Sequence, residues 1–233
     1  MLRRTMHTSA ISLQDHLRAT IWWRGLTPLE TARVEAECFE QFVPRGGYVC
    51  RKGEVIESWV GIVDGLVKIN NFSATGKSVT FTGVTPGSWF GEGSLLKDET
   101  RRYDVMALRD TRVARMPRPT FEWLLATSLP FNRFLLMQLN ERLGQFIAQV
   151  ESDRTLDVDT RVARCLAAMF HPHLYPGLEA MVHISQEEIG YLSGASRQRV
   201  NQALQLLEKE GLLRLDYGGI RILDLERLRQ FQA

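Results

Sequence analysis

The 233 residues carry 29 Lys and Arg against 27 Asp and Glu, a formal charge of +2, which neither demands nor forbids a nucleic-acid partner. With 44% hydrophobic residues the chain holds enough material for one large core or two smaller ones. Its longest apolar runs, such as FLLMQL at 134–139, fall well short of the roughly 20 residues that cross a bilayer.

The start, MLRRTMHTSAISL, has two arginines but no apolar core of signal-peptide length, so it reads as an ordinary or frayed terminus and a cytoplasmic location is expected. The first clear helix start is TPLETARVEAECF, where Thr27 caps, Pro28 takes the first helical position and Glu30 completes a capping box. That helix is expected to reach about Phe39. From Gln41 to about Arg118 short β-branched and aromatic runs alternate with RGG, KGE, DG, ATGK, TPGSW and GEG, the texture of a compact antiparallel sheet or barrel. In WVGIVDGLVKINNF the Asp64-Gly65 pair between two apolar runs predicts a tight hairpin.

Helical texture returns at about Pro119, and Pro130 starts a segment that runs to about Arg154 with Gly144 as its one internal glycine. Leu136, Leu139, Leu143, Phe146 and Val150 recur at spacings of 3, 4, 3 and 4, an a/d seam. About 25 helical residues span roughly 37 Å, too long to hide against one small barrel. A dimer seam is therefore preferred to a helix packed only on its own barrel. LDVDT at 156–160 reads as a hinge and helix cap. Beyond it come a helix to about Phe170, a turn with Pro172, Pro176 and Gly177, a strand near AMVHIS, two helices and a hairpin. The hairpin, LLRLDYGGIRILDL, places Tyr217, Gly218 and Gly219 at its tip. The expected class is α+β. It comprises an antiparallel, jelly-roll-like β-barrel with flanking helices (1–129), a long dimerisation helix (130–155) and a winged helix-turn-helix unit (156–233).

The last unit rests on ISQEEIGYLSGASRQRVNQALQLLEKEGLLRL at 184–215. Ser185 and Glu188 form a capping box, Ile189 and Leu192 point inward, Gly194 supplies a left-handed turn, and Ser196 caps a second helix packed through Val200 and Leu204. In such a unit the second helix lies in the DNA major groove, where an arginine fork reads guanine and glutamine or asparagine pairs with adenine. Arg197, Gln198, Asn201 and Gln202 are assigned to bases, Arg199 to phosphate, and Ser196 belongs to the same DNA-facing helix start. The competing reading is a solvated helix face in a module that binds a small molecule or a protein and not DNA. Residues 155–233 hold nine Lys and Arg against ten Asp and Glu, so DNA affinity would lean on a few local arginines and show a moderate salt dependence.

Catalysis and metal binding find little footing. GASRQ and GEGSL are not G-x-S-x-G, and no P-loop is present. Cys38, Cys50 and Cys165 are odd in number and widely spaced, which argues against disulfides and paired C-x-x-C metal ligation and leaves them as packing residues. His171 and His173 lack a third ligand and read as loop residues.

Two blocks, PGSWFGEGSLLKDETRRYDVMALRDTRVARMPRPTFEWLL at 86–125 and the 184–215 stretch, resemble the Crp/Fnr family of bacterial transcription regulators. The first is similar to its cyclic-nucleotide-type sensor barrel, and the likeness covers about residues 25–225. The resemblance implies a homodimer on a near-palindromic site, with recognition helices about one DNA turn apart. It also implies RNA polymerase as a partner and gating by an effector through the long helix and the hinge near Asp157. The family's recognition positions fall on Arg197, Gln198 and Gln202, with Asn201 between. Its cAMP-binding members have Glu and Arg where this chain has Gln198 and Gln202, which implies a different DNA consensus.

In those members a Gly-Glu pair touches the ribose and an Arg-Ser pair holds the phosphate. Gly91 and Glu92 match the first pair and Arg102 the arginine, whereas Tyr103 stands in the serine's place. The long helix there reads GQFIAQV, with Phe146 and Ile147 in place of polar groups for the base. The resemblance therefore implies an anionic small molecule other than cAMP, held by Gly91, Glu92, Arg101 and Arg102. No iron–sulfur cluster is expected from three unclustered cysteines, and no haem from a barrel without histidine between residues 17 and 170.

Overall fold

The computed structural model describes residues 11–72, 78–176, 181–217 and 219–232. The ATGK stretch, Gly177 and Gly218 lie outside these residues, as does Ala180 of AMVHIS. The described chain opens with a helix, α1 (Leu13–Ala19), whose cap Ser12 accepts a hydrogen bond from the Asp15 backbone N–H. A 3-10 turn (Trp22–Gly25) follows, then α2 (Pro28–Glu37). Both arms of the α2 capping box form: the Glu30 N–H donates to Thr27 Oγ1 at 3.3 Å, and the Thr27 N–H to Glu30 Oε2 at 2.6 Å. The helix stops two residues short of Phe39, because Phe39 already pairs with Arg115 as the first strand residue.

Among the described residues eight strands build the barrel: β1 (Phe39–Val43), β2 (Tyr48–Cys50), β3 (Ser58–Asp64), β4 (Val67–Phe72), β5 (Ser78–Val84), β6 (Trp89–Phe90), β7 (Asp104–Ala107) and β8 (Thr111–Pro117). They form two four-stranded antiparallel sheets, ordered β1-β8-β3-β6 and β2-β7-β4-β5. Val60, Ile62 and Val113 of the first sheet meet Val67, Ile69 and Val105 of the second in one buried cluster, so the sheets enclose a common core. One expectation fails here. Asp64-Gly65 does not close a hairpin, since β3 pairs with β8 and β6 while β4 pairs with β5 and β7. The turn carries the chain from one sheet to the other. Gly65 has φ 104°, and a Cβ there would lie 2.4 Å from Thr111 Oγ1. Glycine is needed for the crossing itself.

A one-turn helix, α3 (Glu92–Leu96), follows β6, and α4 (Arg118–Thr127) follows β8. The long helix, α5 (Leu129–Thr155), has 27 residues, or roughly 40 Å. An aromatic cluster ties its first turns to the barrel. Trp59 lies 4.5 Å from Trp89 and 5.6 Å from Phe131, and Trp22 lies 5.3 Å from Trp89. The terminal unit contains α6 (Val158–Ala168), β9 (Met181–Val182), α7 (Gln186–Ser193), α8 (Arg197–Lys209), β10 (Leu213–Asp216), β11 (Gly219–Ile222) and α9 (Leu225–Gln230). Its sheet runs β10-β11-β9. The fold is thus the expected antiparallel barrel, long helix and winged helix-turn-helix, with α1, α3 and α9 added. No helix among the described residues is long and apolar enough to cross a membrane.

Candidate nucleic-acid interface and effector cassette

The helix-turn-helix is assembled from short-range signals. Ser185 Oγ accepts the Glu188 N–H at 3.2 Å, and Glu188 Oε2 accepts the Ser185 N–H at 2.7 Å, which starts α7. Gly194 ends it at φ 66°. Gly190 is needed for a different reason: a Cβ there would lie 2.7 Å from the Ala195 carbonyl oxygen, where the turn folds back on the helix. Ser196 then caps α8 by accepting the Arg199 N–H at 3.3 Å. Val200, Ala203, Leu204 and Leu207 are buried on one side of α8, which leaves Arg197, Gln198, Arg199 and Gln202 exposed on the other and Asn201 half-buried.

These polar side chains are not equivalent. Arg199 donates through Nη1 to Gln202 Oε1 at 2.7 Å and reaches Asp159 with Nη2 at 3.4 Å. Asn201 Oδ1 accepts from Gln186 Nε2 at 2.9 Å. Ser196 is occupied by its capping bond. Arg197 and Gln198 have no side-chain partner among the described residues and stand free at the start of α8. On the wing, Arg214 and Arg221 both hold Asp216, at 2.8 and 3.0 Å, beside the fully exposed Tyr217.

The terminal unit is docked on the barrel. Arg109 forks onto Glu188, Nε to Oε1 at 3.1 Å and Nη2 to Oε2 at 2.7 Å, and Arg45 reaches Glu187 at 3.4 Å. Lys68 Nζ lies 4.6 Å from the Tyr191 ring centroid. The Tyr175 hydroxyl meets Thr82 Oγ1 at 3.3 Å and Gln145 Nε2 at 2.9 Å. Leu66 and Leu108 of the barrel enter the apolar cluster that contains Ile189, Val200 and Leu204.

In the cassette, Gly91 has φ 95° at the start of α3, and a Cβ there would strike Arg101 Nη1 at 2.1 Å. Arg101 is buried, with Nη2 donating to the Ser58 carbonyl at 3.1 Å and Nη1 unpaired. Glu92 is also buried. It accepts from Trp59 Nε1 at 3.2 Å and from Arg142 Nε at 2.9 Å, while Arg142 Nη2 and Gln138 Nε2 donate to the Trp89 carbonyl. Burial alone would raise the Glu92 pKa. The Arg142 guanidinium, with the hydrogen bonds, overrides that and holds it below the ordinary value.

The structure thus brings Gly91, Glu92 and Arg101 together. Arg102 instead sits at the surface, forked onto Glu99 at 3.1 and 2.6 Å. Its hydrogen bond and that of Lys97 pull Glu99 down to about 2. Tyr103, half-buried, has its phenol pKa raised by burial. Arg142 is the member that sequence reasoning misses. Its signal is its position beside the a/d seam, on a flank of α5 that meets the barrel.

The seam itself is uncovered. Leu136, Leu143, Phe146 and Val150 are 41–69% exposed, with Leu139 half-buried between them, and Ile147 beside the seam is 62% exposed. Phe146 and Ile147 therefore face outward from the chain. Cys38, Cys50 and Cys165 are unpaired, and burial pushes the thiols of Cys38 and Cys165 up to about 12. Among the described residues no group of three His, Cys, Asp or Glu side chains is placed to hold a metal ion.

Residues 40–128 match the cyclic nucleotide-binding domain family, and residues 160–231 match the Crp-like helix-turn-helix domain family. The chain is 29% identical over 209 residues to a CRP-like cAMP-activated global transcriptional regulator of Mycobacterium tuberculosis, covering 88% of this chain and 93% of the relative. It is 24% identical to a cyclic AMP receptor protein of Thermus thermophilus, over 89% and 94% of the two chains. Among solved structures, FixK2 from Bradyrhizobium japonicum superposes with a TM-score of 0.70 at 21% identity, covering 84% of this chain and 98% of that one.

Proposed function

Because the chain belongs to the Crp/Fnr family of transcription regulators, we propose that it acts as a homodimer whose two α8 helices read a near-palindromic DNA site. Arg197 and Gln198 read bases from the free chain, and Gln202 and Arg199 exchange their bonds to each other and to Asp159 for a base and a phosphate. The observation that carries this reading is the pair of free side chains, Arg197 and Gln198, at the exposed start of α8, while their polar neighbours are tied to the protein. Unpaired forks at a helix start that enters the major groove are suited to base edges. The exposed seam of α5 supplies the dimer interface, since an apolar stripe of that length gains from burial against a second copy.

The barrel (1–129) is the sensor, and 130–155 and 156–233 are the dimer helix and the reader. Glu92 and Arg142 join the cassette to α5, so an anion that enters beside Gly91 and Arg101 alters the contact that seats the long helix. The movement passes along α5 to the hinge at Asp157 and changes the separation of the two α8 helices. Such coupling amounts to about 1–3 kcal/mol between effector and DNA. Two relatives are named for cAMP. Here Tyr103 occupies the phosphate-holding serine's place and Arg102 is engaged by Glu99, which favours a different anion. RNA polymerase is the protein partner this reading implies.

The test is a selection from random duplex DNA with the purified protein, followed by Arg197→Ala and Gln198→Ala on the recovered site. A two-half-site consensus and a loss of about 1–3 kcal/mol per substitution are expected. Retention that both substitutions leave unchanged would refute base reading by α8 and favour a module that binds a small molecule or a protein.

A further inference from the structure

A cavity of about 530 Å³ lies away from the cassette, at the junction of the long helix and the reader. Gln145 and Gln149 of α5 form one wall, Arg161, Arg164 and Cys165 of α6 the other, and Leu192 of α7 closes one end. The size falls within the roughly 300–1,000 Å³ of small-molecule sites. Arg161 and Arg164 are three apart on α6 and so share a face. Arg161 Nε is buried with no partner, and Arg164 has no hydrogen-bond or ion-pair partner among the described residues. The other charged groups in the lining are already engaged: Glu141 reaches His171 at 3.2 Å and Arg229 holds Glu226 at 2.5 Å. Two adjacent half-buried guanidinium groups repel each other and leave strong donors unused, a cost that an anion between them removes.

The cavity faces away from the seam. Gln145 lies about 200° around α5 from Leu143, so the cavity and the apolar stripe occupy opposite sides of the helix. Its walls belong to elements on both sides of the hinge. We propose that this cavity is a second ligand site, separate from the cassette. It takes an organic anion of nucleotide size whose phosphate or carboxylate is held by Arg161 and Arg164, and whose occupancy fixes α5 against α6. The ligand acts as a wedge at the hinge, so a bound anion changes the DNA affinity of the reader.

Calorimetric titration of the full-length protein with adenosine 5′-monophosphate and with citrate tests this, the two probes separating phosphate from carboxylate recognition. Saturable binding of at least one probe is expected. Arg161→Ala with Arg164→Ala should weaken it roughly tenfold or more, the effect of losing charge-assisted hydrogen bonds. Ala168→Trp, which fills the cavity from an exposed wall position and keeps both arginines, should abolish it. The cassette variant Arg101→Met should leave it intact. On a selected DNA site, the bound probe should shift affinity roughly fivefold or more in the wild type and not in Ala168→Trp. Absence of binding by both probes overturns the proposal, as does binding that Arg101→Met removes and the arginine pair does not. The calorimetry decides the site even where DNA reading fails.

Discussion

Arg142→Met isolates the link between cassette and long helix. The substitution keeps most of the side-chain volume and deletes the guanidinium. The Glu92 side chain is 2% exposed and that of Arg142 12%, so little solvent is available to screen or replace the pair. Removing one partner of a buried pair costs about 3–5 kcal/mol. Glu92 keeps its bond from Trp59 Nε1, which puts the expected loss near the lower end, about 3 kcal/mol. For a chain of this length that lowers Tm by roughly 6–12 °C. Urea titration at fixed protein concentration, followed by tryptophan fluorescence, measures it. The double variant Glu92→Gln with Arg142→Met removes both charges and should return to within about 1 kcal/mol of the wild type. The pH dependence should also invert. In the wild type the folded Glu92 pKa lies below the unfolded one. Its contribution is therefore complete above the ordinary carboxylate range and is lost as pH falls through the folded value. In Arg142→Met, burial acts without the guanidinium and raises that pKa, so acidification should favour the folded variant. A single substitution that costs less than about 1 kcal/mol, or a double variant no better than the single, would refute the assignment of this pair as the seat of α5.

Burial, followed by the charge of Arg112, lowers the His16 pKa from 6.5 to about 4. The wild type should therefore lose stability as pH falls from about 6.5 towards 4, on the order of 3 kcal/mol in all, and His16→Leu should flatten that limb of a pH–stability profile. Leu143→Glu with Ile147→Glu puts two charges on the seam and should raise the dimer dissociation constant roughly a hundredfold or more, read by sedimentation, with the circular dichroism unchanged. Gly190→Ala places a Cβ 2.7 Å from the Ala195 carbonyl oxygen. It should destabilise the reader by about 1–3 kcal/mol and weaken DNA binding measured by fluorescence anisotropy.

Features that depend on a few neighbouring residues are legible in the sequence. The two capping boxes, Thr27 with Glu30 and Ser185 with Glu188, form with both arms, and Gly194 takes the left-handed turn, because each is settled within four or five residues. The a/d spacing from Leu136 to Val150 likewise marks an exposed apolar face of α5. What depends on distant partners is harder to read. Asp64-Gly65 announces a tight turn, but whether its flanking strands pair is decided by β8 and β7, some fifty residues on. Arg101 and Arg102 are the same residue type side by side. Which one closes on Gly91 depends on the Ser58 carbonyl and the shape of the cassette turn. Arg142 belongs to the cassette only because a helix beginning at Leu129 lies across β6.

Glu188 finishes the start of α7 and at the same time receives both prongs of Arg109. One carboxylate therefore serves the integrity of a helix and its posture on the barrel. The two ends of that link are unequal under mutation. Changes at position 109 can loosen or tighten the docking while the helix stays intact, whereas any change at 188 disturbs both at once. A search for variants with altered docking of the terminal unit should therefore begin on the barrel side of the contact, at position 109.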